Sequence, residues 1–176
     1  MKNGGDCNLK QLAKTYNYLN ENNLLSYDEL AMKTAAATKR YDELLVQIKA
    51  AEKRMAEITA LKMQVINYHK TKDVYAAYKK SGYSKKFAAE RESTLLLYKA
   101  ARKYFNELGV KKLPAVRSLQ AEYAQLLNEK KAAYGESRQV KKEKQELLTV
   151  KMNVDNLLEI EDGKKKKMQR EEVMER

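Results

Sequence analysis

The sequence predicts an all-α fold, an elongated antiparallel coiled-coil hairpin with a small helical cap. The 176 residues include one Pro and six Gly, too few turn-forming residues for the frequent chain reversals of a sandwich, a barrel or a βαβ array. Hydrophobic residues make up 43% of the chain and charged residues 34%, which favours long, narrowly packed helices over a thick core. Two long stretches also place apolar residues at alternating steps of three and four, the period of a coiled-coil seam.

Residues 1–25 predict one short helix and a turn, because apolar residues recur at helical spacing before a polar run of Asn and Glu. The next helix is predicted to begin at Ser26. The side chains of Ser26 and Glu29 can bond to each other's backbone N–H groups in a capping box, and Leu25 can form the accompanying hydrophobic staple.

The first heptad segment, residues 26–69, follows this start. Its predicted seam consists of Leu30, Thr34, Ala37, Tyr41, Leu44, Ile48, Ala51, Met55, Ile58, Leu61, Val65 and His69. Lys72 interrupts the pattern, so the segment is expected to end near His69. A rival arrangement is a three-helix bundle in which residues 26–81 form one unbroken helix.

The second heptad segment, residues 114–158, is predicted to begin at Pro114, whose ring suits the first position of a helix. Its seam is the more polar of the two, because Lys130, Lys144 and Lys151 occupy seam positions. The two segments have nearly equal length, which favours their pairing as the antiparallel hairpin.

Two further features of the C-terminal third carry structural expectations. Gly135 interrupts a run of good helix formers and is expected to weaken the helix by ~1 kcal/mol relative to Ala, with a bend or a slipped heptad nearby. Residues 159–176 alternate blocks of charge without an apolar period and are expected to form a disordered tail.

The cap segment, residues 70–113, lies between the two heptad segments. A helix is predicted to start near Ser84 and to end before Gly109, with Phe87, Arg91, Tyr98 and other residues along one stripe. The apolar run Leu95–Leu97 is expected to widen its packed surface. This helix and the end of the first segment would together form the cap.

The formal charge of +12 is concentrated in this part of the chain. Residues 68–113 contain twelve Lys and Arg against four Asp and Glu, together with eight of the fourteen aromatic residues. Cations that bind phosphates and rings that stack on bases are the ingredients of a nucleic-acid surface. An alternative also remains, in which the rings form the core of the cap and the lysines its solvated face. The predicted DNA-binding residues are Lys79, Lys80, Tyr83, Ser84, Lys85, Lys86, Arg91, Lys99, Arg102, Lys103, Lys111 and Lys112.

The residue patterns of known catalytic and cofactor sites are not found in the sequence. His69 is the single histidine and Cys7 the single cysteine, which excludes a histidine cluster, a Cys-rich zinc site and an internal disulfide framework. There is no Gly-rich phosphate loop and no nucleophile elbow. We expect no enzymatic activity, no metal and no cofactor. With no apolar run of spanning length and no signal peptide, a cytoplasmic protein without a membrane partner is expected.

Several long stretches of the sequence resemble the helical C-terminal region of relaxases, the mobilisation nucleases of conjugative and mobilisable elements of Gram-positive bacteria. They cover most of residues 8–160 in order and read LKQLAKTYNYLNENNLLSYDEL, QIKAAEKRMAEI, YAAYKKSGYSKKF, LGVKKLPAVRSLQAEYAQLLNEKKAAY and ELLTVKMNVDNLL. Relaxases nick one DNA strand with a tyrosine and a histidine-bound metal ion in an N-terminal nuclease domain. The catalytic residues of that domain match no position of this sequence, so the resemblance implies a non-catalytic region that works on DNA in mobilisation.

A second hypothesis is a coiled-coil interaction module that docks on a relaxosome component or a coupling protein, or that forms a homodimer. The polar seam of the second heptad segment motivates it, since seam lysines suit an exposed or exchanged contact. An anionic lipid surface is a weaker candidate, because no helix separates bulky apolar residues cleanly from basic ones.

Overall fold

The structure, a computed structural model, describes the backbone of residues 4–174 and the side chains of residues 9–159. Within this range it contains no strand, so the predicted all-α class is confirmed. No helix of the described part is both long and apolar enough to cross a membrane. The helices are α1 (Gly4–Glu21), α2 (Tyr27–Lys80), α3 (Lys85–Glu90), α4 (Glu92–Glu107) and α5 (Val116–Met174).

The chain divides into two compact units, and the division cuts through both long helices. Unit 1 contains Met1–Val46 and Tyr134–Arg176, and unit 2 contains Gln47–Ala133. The sequence instead placed boundaries at 69/70 and 113/114, on either side of the cap segment. Those boundaries do not separate packed groups of residues, because the core of unit 2 joins residues of the cap segment to residues of α2 and α5.

The capping box at the start of α2 is confirmed. The Ser26 hydroxyl accepts a hydrogen bond from the Glu29 N–H at 3.2 Å, and the Glu29 carboxylate accepts one from the Ser26 N–H at 3.1 Å. The predicted staple is wrong, because Leu25 is 80% exposed. Leu24 is buried instead and packs in the same cluster as Leu30. Asn23, just before it, has a left-handed backbone that turns the Leu24 side chain into the core. The buried leucine is therefore one position earlier than expected.

α2 is one continuous helix of 54 residues, as the rival arrangement required, and the expected end near His69 is wrong. His69 is exposed, while Tyr68 beside it packs on the core of unit 2. After Val65 the apolar stripe takes a step of three rather than four and continues through Tyr68 and the buried Thr71. The packing of this face against α4 stabilises the helix as far as Lys80.

The seam predicted for α2 is largely confirmed up to Val65. Its buried members are Leu30, Thr34, Ala37, Leu44, Ile48, Ala51, Met55, Ile58 and Val65. Tyr41 and Leu61 are half-buried at the remaining positions. The regular spacing places these residues on one face of the helix.

Three helices end in the same Schellman motif, in which a left-handed residue lets the chain turn back over the last carbonyls. The left-handed residues are Asn23 after α1 (φ 51°), Gly82 after α2 (φ 65°) and Gly109 after α4 (φ 63°). In each motif the following N–H donates to a carbonyl five residues earlier: Leu24 to Leu19 at 2.9 Å, Tyr83 to Tyr78 at 3.2 Å and Val110 to Phe105 at 3.0 Å.

The single helix expected from Ser84 to Leu108 is divided at Arg91, whose backbone is not helical (φ −126°, ψ 24°). The prediction placed Arg91 on the packed stripe, where an unpaired guanidinium would be costly to bury. The break leaves Arg91 exposed while Phe87 on α3 and Tyr98 on α4 still stack on rings of α2.

α5 begins at Val116 rather than Pro114, since the Ala115 carbonyl accepts the first helical bonds, from Ser118 and Leu119. The helix continues to Met174, which contradicts the disordered tail expected for residues 159–176 over the described backbone. Most residues there are Glu, Lys, Met, Gln and Arg, which are good helix formers. Extending an existing helix is also far easier than starting one. The side chains beyond residue 159 lie outside the described residues, as does that of Cys7.

The three seam lysines of α5 all have partners on the same chain. Their contacts are Lys130 Nζ with Glu52 Oε1 at 2.8 Å, Lys144 Nζ over the Tyr41 ring at 4.9 Å, and Lys151 Nζ with Asp155 Oδ2 and the Tyr27 hydroxyl, both at 2.8 Å. In unit 1 Tyr27 contacts Asp155 and Arg40 contacts Glu136, and in unit 2 Glu52 contacts Lys130 and Arg54 contacts Glu122. In each unit the later residue of α2 meets the earlier residue of α5, so the two helices run antiparallel there.

Gly135→Ala is expected to raise the free energy of unfolding by about 0.5–1 kcal/mol. α5 is unbroken at Gly135, and a Cβ added there would meet no atom within 4 Å. Alanine therefore gains helix propensity without a clash. Urea denaturation measures the change, and a loss of stability would show that glycine is needed at this position. The predicted bend near Gly135 stays a prediction.

The network of Tyr27, Lys151 and Asp155 should make unit 1 less stable in acid. Hydrogen bonds from Lys151 and then from Tyr27 lower the pKa of the Asp155 carboxyl. A lowered pKa adds stability that is present above the unfolded-state pKa of about 4 and is lost as the pH falls through the folded-state pKa. Asp155→Asn should therefore destabilise the protein at pH 7 and show a smaller loss on acidification. Identical acid melting curves for the two proteins would contradict this.

Candidate functional site

Most aromatic side chains of residues 68–113 pack on one another. The rings of Tyr75 and Tyr98 are stacked, with centroids 4.0 Å apart and planes 13° apart, and the Tyr98 ring also stacks on that of Tyr68. Phe87 stacks on Tyr78 at 6.0 Å. Of the eight aromatic rings in residues 68–113, seven are buried or half-buried, and only Tyr83 is exposed. The alternative in which the rings form the core of the cap therefore fits seven of the eight, and the exception, Tyr83, is the one ring among the predicted DNA-binding residues.

This packing also changes the acidity of one phenol. Burial is the largest of the effects that raise the pKa of Tyr98, and the neighbouring Tyr68 and Tyr75 raise it further. Arg102 has a smaller, opposing effect on this pKa. A phenol with a raised pKa stays protonated at neutral pH and is a poor nucleophile. Tyr98 therefore fits a structural role in the packing of α2 against α4.

Seven of the ten predicted cations lie at the ends of helices or in the connections between them, and three lie within α4. Lys79 and Lys80 end α2, Lys85 and Lys86 begin α3, and Arg91 separates α3 from α4. The remaining cations are Lys99, Arg102 and Lys103 on α4 and Lys111 and Lys112 in the connection to α5. The three on α4 are spaced i, i+3 and i+4 and are neighbours on its surface.

All ten cations are exposed to solvent. Lys103 pairs with Glu107 at 3.8 Å. Among the side chains at positions 9–159, none of the other nine takes part in an ion pair or a side-chain hydrogen bond. Their charges are therefore not neutralised by neighbouring carboxylates.

Some cations of the two long helices are paired within the chain. Arg40 bonds to Glu136 at 2.6 Å and Arg54 to Glu122 at 2.7 Å. The hydrogen bond that the Arg54 guanidinium donates to the Glu122 carboxylate is the main cause of the raised pKa of Arg54. Pairs of this kind offset part of the positive charge of the long helices, whereas nine of the ten cations of residues 79–112 have no ion pair in the described part of the chain.

Ser84 holds the start of α3. Its hydroxyl accepts a hydrogen bond from the Phe87 N–H at 3.5 Å, and its own N–H donates to the Ser81 hydroxyl at 3.4 Å. The predicted helix start near Ser84 is confirmed, with Ser84 as the N-cap. Its oxygen serves the backbone, which leaves the hydroxyl proton for any further contact.

Sequence reasoning missed the polar side chains that line two surface grooves. One groove, of about 480 Å³ in unit 1, is lined by Gln11, Thr15, Tyr18, Gln145, Asn153 and their neighbours. The other, of about 560 Å³ in unit 2, is lined by Ala50, Arg54, Leu126, Lys130 and their neighbours. No simple spacing marks these residues in the sequence, since each groove joins two segments more than 70 residues apart. Neither groove contains a predicted DNA-binding residue.

One apolar prediction for the cap segment is wrong. Leu95 is buried, but Leu96 and Leu97 are exposed, because they lie off the helical stripe of Tyr98, Ala101 and Phe105. Neither Leu96 nor Leu97 lines either of the two grooves described above.

The side chains of residues 9–159 also contain no group of three or more His, Cys, Asp or Glu residues placed to hold a metal ion. The candidate site is thus a set of exposed, mostly unpaired cations around a packed aromatic core. Comparisons with protein-family models, with curated proteins and with solved structures find no match to the chain.

Proposed function

We propose that the chain is a non-catalytic DNA-binding accessory module of a relaxase-type mobilisation protein, acting in the cytoplasm. The observation that carries the proposal is the group of ten exposed Lys and Arg residues at positions 79–112, nine of them without an ion pair in the described part of the chain. A protein that brings such cations to DNA phosphates releases condensed counterions and gains affinity. Phosphate contacts carry no base information, so sequence preference is weak.

In this proposal the two heptad segments form a coiled-coil hairpin that serves as a stalk for the cap segment. The spacing of the buried residues of α2 at alternating steps of three and four supports the hairpin. The resemblance to the C-terminal region of relaxases supports the link to mobilisation, and DNA near a transfer origin is the proposed target.

A titration with single-stranded and duplex DNA at about 50 and 200 mM salt tests the proposal. If four phosphates are neutralised, the affinity should fall by about 100-fold between the two salt concentrations, because each contact contributes a slope of about −0.9 on a log–log plot. Affinity that is independent of salt, or no binding at the lower concentration, would refute DNA binding by this surface.

The alternative function is docking on a relaxosome component or a coupling protein, or homodimer formation. Its motivation weakens, because Lys130, Lys144 and Lys151 each have a partner on the same chain. Light scattering distinguishes self-association, since a mass that rises with protein concentration would favour a homodimer.

A further inference from the structure

The turn between α2 and α3 keeps one aromatic ring apart from the packed rings. Tyr83 is 52% exposed, whereas the seven other rings of residues 68–113 are buried or half-buried. The Tyr83 ring touches Tyr78 edge to face, with centroids 5.2 Å apart and planes 84° apart. This contact holds the ring at the surface without covering it with another aromatic plane.

The backbone at this ring is unusual. Tyr83 has φ 61° and directly follows Gly82 at φ 65°. Gly82 alone supplies the left-handed residue that the end of α2 requires. A second left-handed residue with a bulky side chain is strained, and Asn or Gly would adopt this conformation more easily. Strain retained at an exposed residue is typical of positions kept for function.

Two pairs of lysines flank Tyr83 along the chain. Lys79 and Lys80 precede the turn and Lys85 and Lys86 follow it, and all four are exposed without an ion pair in the described part of the chain. In a single strand each base has a phosphate on both sides along the backbone. A ring between two pairs of cations can stack on a base while the lysines bind its flanking phosphates.

We propose that Tyr83 is a base-stacking residue that makes this surface prefer unpaired bases of single-stranded nucleic acid over duplex. The inference rests on the proposed function and names the substrate class of the same surface. A duplex keeps its bases stacked inside the double helix, so it offers its phosphates to the lysines but no base face to Tyr83. Stacking of one base changes affinity by about 10- to 100-fold.

The test compares Tyr83→Asn with the wild type on an oligothymidylate of about twelve nucleotides and on a duplex of about twelve base pairs, by fluorescence anisotropy. The variant should lose about 10- to 100-fold in affinity for the single strand and less than about twofold for the duplex, with the salt slopes unchanged. Tyr83→Phe keeps the ring and should bind like the wild type.

The matched control is Tyr16→Ala, which removes an exposed tyrosine of α1 in unit 1 and should alter neither affinity. Tyr83→Gly is a second variant suited to the left-handed backbone, and it should repeat the selective loss. The role of Tyr83 is overturned if Tyr83→Asn and Tyr83→Gly lose affinity equally for both probes. It is also overturned if both of these variants bind the single strand as tightly as the wild type. In that case salt-dependent binding of the duplex by the wild type still supports the proposed function, whereas failure of the wild type to bind either probe refutes both.

Discussion

Phe105→Ala is expected to lower the free energy of unfolding by about 3–5 kcal/mol. Phe105 is 2% exposed and lies in the core of unit 2 with Val65 and Ala101. Its ring contacts that of Tyr68 edge to face at 5.9 Å, so the substitution removes an aromatic pair as well as buried area. Urea denaturation followed by circular dichroism gives the change from the shift of the midpoint at constant slope.

Leu108→Ala is the control for this experiment. Leu108 follows the same helix but is 55% exposed, so its truncation should change the free energy of unfolding by no more than about 0.5 kcal/mol. A loss below about 1 kcal/mol for Phe105→Ala, or equal losses for the two variants, would contradict the assignment of Phe105 to the core.

Local patterns predicted the parts of the fold that depend on neighbouring residues. The capping box of Ser26 and Glu29 satisfies backbone groups within one turn, and it forms as the sequence indicated. The seam of α2 up to Val65 follows from its spacing alone, because the helical period fixes which residues share a face. Gly109 ends α4 because its left-handed conformation suits glycine.

Details that depend on distant residues were not predictable in this way. Leu24 and Leu25 have the same chemistry, but only Leu24 is buried, in a cluster with the distant Leu147 and Val150. His69 fits the heptad, but Tyr68 beside it finds the rings of Tyr98 and Phe105 about thirty or more residues later in the chain. A periodic pattern cannot reveal such a partner before the packing is known.

The candidate site shows the same division. Counting residues located the excess charge, since Lys and Arg remain at the surface in nearly every fold. Counting could not show that Arg40 and Arg54 are paired across helices while the lysines of the α2–α3 turn are not. Nor could it separate the exposed ring of Tyr83 from rings that stack on each other, because that difference arises only from tertiary contacts.

Changing Lys79, Lys80, Lys85 and Lys86 together to Glu is expected to weaken DNA binding by on the order of 10³-fold near 0.1 M salt. Each lysine that neutralises a phosphate contributes close to one unit to the slope of log affinity against log salt, so the slope should flatten by about four. The four side chains are exposed and without ion pairs in the described part of the chain, so the fold should tolerate the change. Anisotropy titrations at several salt concentrations measure both quantities.

The decisive comparison keeps the total charge equal. Changing Lys10, Lys49, Lys141 and Lys142 to Glu also lowers the net charge from +12 to +4, and these lysines are exposed but lie outside residues 68–113. If long-range attraction by the whole protein caused binding, both variants would lose affinity equally. If the turn between α2 and α3 binds the phosphates, the control should keep most of its affinity and nearly all of its salt slope. Unaltered affinity and slope in the first variant would exclude this turn as the DNA-binding surface.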